Sequence, residues 1–215
     1  NPNKHAGMIY ASNLCHEIAQ NVGFTNLAEE IINEDGTIST KTNTGDMVTC
    51  NLNSISLGRI TDEELEENIA LQIRMLDNVI SINQAPVPES RMTSDKYRAI
   101  GLGTSGYHHY LVNHDIQWES EEHIEVADKL FENIAYYAIK ASMELAKEKG
   151  AYPAFKGSEW ETGAYFTRRG YTSDRWKQLA ADVAKYGIRN GYLMAVAPTG
   201  STSNIANTTA GIDPI

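Results

Sequence analysis

The sequence predicts an α/β fold in which parallel strands alternate with long amphipathic helices. Three observations carry this. Apolar residues recur at helical spacing in three long stretches, after Thr61, after Ser120 and after Ser173. Short strand-like stretches lie between them, at Met47–Leu52, Ala99–Leu102 and Tyr192–Ala197. Two of these lead into loops of glycine and small hydroxyl residues. Strands separated by helices favour parallel pairing, because the helix supplies the long crossover that returns the chain to the same end of the sheet. Such folds gather their chemistry at the C-terminal ends of strands.

Each element has a local reason. Thr61 can cap the first helix while Glu64, three residues on, reaches back to it as a capping box. Leu65, Ile69, Ile73, Leu76 and Ile80 then form one stripe. The second helix is expected from Ser120 to Gly150, a residue suited to a helix C-terminus. Ile124, Ala127, Phe131, Ile134, Ala138, Ala141 and Leu145 are its expected stripe. The third starts after Ser173, carries Trp176, Leu179, Ala180 and Val183, and ends near Gly187. Asn33–Gly45, rich in Asn, Asp, Gly and Thr, reads as a surface excursion.

Composition narrows the function classes. With 41% apolar residues in 215, the chain can bury a core. A formal net charge of −10 argues against a non-specific nucleic-acid surface or a polybasic membrane surface, both of which need clustered Lys and Arg. A nucleotide, which needs only a few local donors, stays compatible. Cys15 and Cys50 are the two cysteines, and without a CxxC or a nearby His pair they form neither a disulfide framework nor a zinc site. No leader is visible and no apolar run reaches membrane-spanning length, so the expectation is a cytoplasmic protein with reduced thiols. The chain opens at Asn1 and closes at Ile215, each near a dense motif, which reads as a fragment or the product of a split gene.

Four motifs carry candidate chemistry. In Ser12-Asn13-Leu14-Cys15-His16-Glu17, an extended backbone would turn Asn13, Cys15 and Glu17 the same way, converging an amide, a thiol and a carboxylate. Alone, this motif reads first as a small buried Cys beside a solvated Glu. Cys50, in Val48-Thr49-Cys50-Asn51-Leu52, is a packing residue unless a second thiol stands near it. Pro198-Thr199-Gly200-Ser201-Thr202-Ser203 follows a strand and precedes a helix, where backbone N–H groups and hydroxyls can cradle an anion or simply cap the helix. It lacks the Lys of a Walker loop. Gly101-Leu102-Gly103-Thr104-Ser105-Gly106 superficially matches a dinucleotide fingerprint. The acidic residues some 20 positions on, Glu119, Glu121 and Glu122, sit at a helix start, so the glycines read as close strand–helix packing.

Taken together, in order, these motifs resemble the large, catalytic subunit of class I ribonucleotide reductases over essentially the whole chain. Asn13-Leu14-Cys15-His16-Glu17-Ile18 resembles the family's radical loop, and Thr49-Cys50-Asn51-Leu52-Asn53-Ser54 its strand with a reducing cysteine. Arg98–Thr104, Glu144–Ala151, Gly187–Asn190 and Ala197–Ser203 match further family segments, the last being the phosphate loop. Leu14 before Cys15 favours class I over the cobalamin-dependent class II, where proline is usual, and His16 departs from the family pattern.

The resemblance implies part of a ten-stranded α/β barrel, with a finger loop carrying the radical cysteine. It implies that Cys15 forms a thiyl radical that removes the 3′ hydrogen of a ribonucleoside diphosphate. Glu17 would take the 3′-hydroxyl proton, and Asn13 would hydrogen-bond the substrate. Cys50 would be one of two cysteines that reduce the 2′ carbon. Ser12 and the Pro198, Thr199, Gly200, Ser201, Thr202, Ser203 loop would bind substrate. No metal or cofactor is expected in this chain. The radical would come from a metal-containing small subunit, and electrons from a thioredoxin- or glutaredoxin-like reductant.

The family's second reducing cysteine, radical-relay tyrosine pair, C-terminal cysteine pair and N-terminal regulatory region have no match here. Tyr136-Tyr137 sits mid-helix, where adjacent side chains diverge, and reads as packing; so do the adjacent His108 and His109 as surface imidazoles. The remaining large-subunit sequence or a companion chain would then complete the barrel. The alternative is a non-catalytic assembly fragment or a nucleotide-binding module.

Overall fold

A computed structural model describes residues 1–215. The three long helices form where the apolar spacing places them. Helix α1 spans Leu65–Ile82 and buries Leu65, Ile69, Ile73, Leu76 and Ile80. It begins later than a Thr61 cap predicts. Glu64 accepts the Thr61 N–H at 2.9 Å, giving half of a capping box, but residues 62–64 form a turn. A shorter helix, α2, Pro88–Tyr97, was not visible in the periodicity because its buried face is Ser90, Thr93 and Tyr97.

Strand β3, Leu52–Ser56, runs parallel to β4, Gly101–Ser105, with Leu52 opposite Gly101 and Ser56 opposite Ser105. The strand predicted at Met47–Leu52 is thus displaced toward the C-terminus. Residues 47–51 are held by side chains instead: the Met47 N–H donates to Thr93 Oγ1 at 2.8 Å and Asn51 Nδ2 to the Leu76 carbonyl at 2.8 Å. The strand predicted at Tyr192–Ala197 shrinks to a parallel bridge of Met194 with Leu102, flanked by Leu102 N–H to Leu193 O (2.8 Å) and Ala195 N–H to Leu102 O (3.0 Å). β4 therefore lies between β3 and this segment.

Gly101 and Gly103 lie inside β4, which corrects the expected turn. A Cβ on Gly101 would stand 2.3 Å from Leu52 Cδ2, and one on Gly103 2.4 Å from the Ala195 carbonyl oxygen. The glycines let strands and their side chains approach one another, not strand and helix. The strand-to-helix turn falls at Gly106, with φ of 70°, before helix α3 at Tyr107–Asn113.

Helix α4, Glu121–Lys149, follows the expected bounds. Ser120 Oγ accepts the His123 N–H at 3.1 Å, and Gly150 ends it with φ of 83°. Ile124, expected in the stripe, is 67% exposed; Val126 and Ala127 pack half-buried against the core, and full burial starts at Leu130. After a short α5, Ala164–Arg168, helix α6 at Asp174–Tyr186 buries Trp176, Leu179 and Val183 and ends at Gly187. α1 and α6 both pack on α4, and one hydrophobic cluster joins all three to β3 and β4. Tyr136 packs edge-on against Trp176, 5.1 Å between ring centroids. Helix α7, Gly200–Ala206, follows the hydroxyl-rich loop.

The surface excursion expected at Asn33–Gly45 is the turn and second strand of an antiparallel hairpin, β1 Asn26–Ile32 with β2 Ile38–Asn43, exposed at every strand residue. With neither face buried, its sequence carries no strand alternation to read.

Candidate active site

The Ser12–Glu17 motif is a turn. The His16 N–H donates to the Asn13 carbonyl at 3.1 Å, and His16 takes a left-handed φ of 64°. The alternation expected of an extended chain does not apply, yet the turn still brings Asn13 and Glu17 together. Asn13 Nδ2 donates to Glu17 Oε1 at 2.7 Å and approaches Cys50 Sγ at 3.7 Å, while Asn13 Oδ1 accepts the Ile18 N–H at 3.0 Å. Ser12 Oγ donates to the Ile18 carbonyl at 2.6 Å, and buried Ile18 anchors the turn. Cys15 is exposed at its tip, beside Leu14 at 94% exposure. The other Glu17 oxygen, Oε2, is buried without a hydrogen-bond partner.

Cys50 lies before β3, outside any strand, where the Met47–Leu52 reading expects it within one. Cys50 is exposed; desolvation of its sulfur by the groups around it pushes the thiol pKa up, the Glu17 charge adds to this, and the Asn13 hydrogen bond opposes it. Asn13 bridges the Glu17 carboxylate and the Cys50 thiol, so these two groups share one neighbourhood.

The hydroxyl-rich loop is built differently from its sequence. Thr199 is buried, and its Oγ1 accepts the Gly211 N–H and the Ser203 hydroxyl, each at 2.8 Å. Thr202 Oγ1 donates to the Thr199 carbonyl at 3.2 Å. Thr199, Thr202 and Ser203 thus spend their hydroxyls on the loop itself. Ser201 and Gly200 are exposed, and the Ser201 hydroxyl has no protein partner. First-turn N–H groups of a helix have no intrahelical acceptor, and here they lie beside the exposed Gly200 and Ser201. This loop follows the Met194 segment, whereas Cys50 precedes β3, so the two groups sit at opposite ends of the parallel set and no hydrogen bond joins them.

Two features escaped the sequence reading. Buried Asp77 on α1 meets Arg98 at 2.7 Å, Arg189 at 3.2 Å and Lys149 at 3.3 Å. A cavity of about 760 Å³ opens between α4, α6 and the Met194 segment, lined in part by Trp160, Tyr171 and Trp176. The aromatic spacing gave no sign of it. His109 Nδ1 lies 3.0 Å from Thr208 Oγ1, and the His108 ring packs edge-on against Trp118.

A family model described as the barrel domain of ribonucleotide reductase matches residues 1–215. This chain belongs to that family. It is 55% identical to the ribonucleoside-diphosphate reductase subunit alpha of Treponema pallidum, with all of this chain covering 26% of that protein. Subunits alpha of the same name from Helicobacter pylori (strain J99) and Synechocystis are 37% and 35% identical, with all of this chain covering 34% and 26% of them. The chain thus spans about a quarter to a third of the length of these relatives, and the mixed α/β architecture is that of part of a reductase barrel.

Proposed function

We propose that this segment carries part of the active site of a ribonucleoside-diphosphate reductase, which reduces ribonucleotides to deoxyribonucleotides for DNA synthesis by thiyl-radical chemistry. The observation that carries the reading is the Asn13 amide, which reaches the Glu17 carboxylate at 2.7 Å and the Cys50 sulfur at 3.7 Å in the turn that presents Cys15. As a thiyl radical, Cys15 removes the 3′ hydrogen, and as the thiol so formed it gives a hydrogen back to the 3′ carbon once the 2′ carbon is reduced, which regenerates the radical. Glu17 takes the 3′-hydroxyl proton, and its unpartnered buried Oε2 suits it to accept one. Asn13 holds that carboxylate in place and offers its amide to the substrate hydroxyls. Cys50 and a second thiol outside this segment supply two electrons and two hydrogens. They end as a disulfide while the 2′ oxygen leaves as water.

The diphosphate meets the first-turn N–H groups of α7 and the Ser201 hydroxyl, with Pro198, Thr199, Thr202 and Ser203 shaping the loop. The radical is supplied by a metal-containing small subunit, and the disulfide is reopened by a thioredoxin- or glutaredoxin-like protein. No helix is long and apolar enough to cross a membrane, and cytoplasmic placement is part of the proposal.

The experiment is Cys15→Ser in the full-length polypeptide, assayed with its small subunit. A serine O–H is too strong for the same hydrogen exchange but preserves shape. Deoxynucleotide formation should vanish while nucleotide affinity stays within about twofold, a small fraction of a 1.4 kcal/mol decade. Retained turnover would remove Cys15 from the chemistry. Turnover and binding lost together would point to a structural role.

A further inference from the structure

The Cys50 thiol has no element of its own to hold it, since it stands in the stretch before β3. Its neighbour Asn51 is tied at both ends. Asn51 Nδ2 donates to the Leu76 carbonyl at 2.8 Å, and the Asn51 carbonyl accepts the Gly101 N–H at 2.9 Å. The two receiving elements are themselves locked together. Leu76 adjoins Asp77, and Gly101 lies three residues past Arg98. The Arg98 guanidinium donates to the Asp77 carboxylate at 2.7 Å and to its carbonyl at 2.8 Å. Arg98 has a left-handed φ of 44°, a conformation that costs a non-glycine residue on the order of 1 kcal/mol and persists where surroundings hold it. The third parallel segment joins through Asn190, whose Nδ2 donates to the Arg98 carbonyl at 2.9 Å.

We propose that Asn51 is a positioning residue, which transmits the Asp77–Arg98 ion pair to the Cys50 thiol and fixes its distance from Asn13 and Glu17. The circuit runs from Cys50 to Asn51, across to α1 and β4, and closes at the ion pair. It rests on the reading of Cys50 as a reducing thiol, but its test does not depend on turnover.

The test is Asn51→Ala in the full-length polypeptide, with alkylation of each cysteine by iodoacetamide followed by peptide mass spectrometry as a function of pH. Freed from its seat, Cys50 should leave its desolvated place beside Asn13 and the Glu17 carboxylate. Its alkylation midpoint should fall by at least half a pH unit toward that of an ordinary thiol, and its rate at pH 7.5 should rise at least threefold. The Cys15 profile should stay within experimental error of wild type. Asn51→Gln, which keeps the amide, should restore part of the wild-type profile. A melting temperature that drops while the Cys50 profile stays unchanged would overturn the proposal and leave Asn51 a purely structural residue. Equal shifts at both cysteines would overturn it too, since they report general loosening. Turnover by Cys50→Ser would instead refute the functional reading, whatever the alkylation profile shows.

Discussion

Asp77→Asn should be one of the most destabilising single-atom-scale changes in this segment. The Asp77 side chain is fully buried, and Arg98, Arg189 and Lys149 converge on it with side-chain exposures of 7%, 14% and 26%. Removing one partner of a buried ion pair costs about 3–5 kcal/mol, because the charge left behind has no water to replace it. Lys149 can turn outward, and Arg189 also donates to the Lys149 and Gly150 carbonyls, at 3.1 Å each. Arg98 has less freedom, since its backbone conformation aims it at α1. The lower end of the range therefore applies, about 3 kcal/mol. For a chain of this size that corresponds to a melting shift of about 6–12 °C. Urea denaturation followed by the fluorescence of buried Trp160 and Trp176 measures it. A loss under about 1 kcal/mol, the scale of an exposed pair, would refute the account of this network.

The same carboxylate sets an acid limit. Burial opposes its charge, but the hydrogen bond and charge of Arg98, with Arg189 and Lys149, outweigh that and hold the Asp77 pKa below its ordinary value. Its contribution is then complete above the unfolded pKa of about 3.9 and lost as pH falls through the lower folded value, so Asp77→Asn should flatten the acid limb of a stability-versus-pH curve. Gly103→Ala forces a Cβ to 2.4 Å from the Ala195 carbonyl and should cost about 1–3 kcal/mol in the same urea assay, where an unchanged midpoint would contradict the close strand approach. In the loop, Ser201→Ala should weaken diphosphate binding by about 1–3 kcal/mol in calorimetry without moving stability. Ser203→Ala should instead lower stability by about 1 kcal/mol through its lost bonds to Thr199; the reverse pattern would contradict the loop assignment.

The long helices were legible because burial on one face leaves a 3.6-residue imprint, and Ser120, Gly150 and Gly187 mark ends that backbone geometry demands. The strands were displaced because five-residue strands buried among helices carry little periodicity. Met47 and Asn51 look strand-like but spend their hydrogen bonds on Thr93 and α1. Asn13 and Glu17 do meet, and Asn13 also reaches Cys50, but the alternation that would turn Asn13, Cys15 and Glu17 the same way fails at a left-handed His16. Asp77 sat unmarked on an apolar stripe, since its partners lie 21, 72 and 112 residues away in sequence. The engaged hydroxyls of Thr199 and Ser203 were equally invisible, because the partner of Thr199, Gly211, lies beyond the motif.

The central claim is a division of labour between two sulfurs, and one reaction measures both halves. Full-length polypeptide, radical-bearing small subunit and reductant are given a 3′-tritiated ribonucleoside diphosphate, and 3′ C–H cleavage and deoxynucleotide are quantified together. Wild type should show both, Cys15→Ser neither, and Cys50→Ser should break the 3′ C–H bond without yielding deoxynucleotide. Deoxynucleotide from either variant would contradict the assignment of these cysteines.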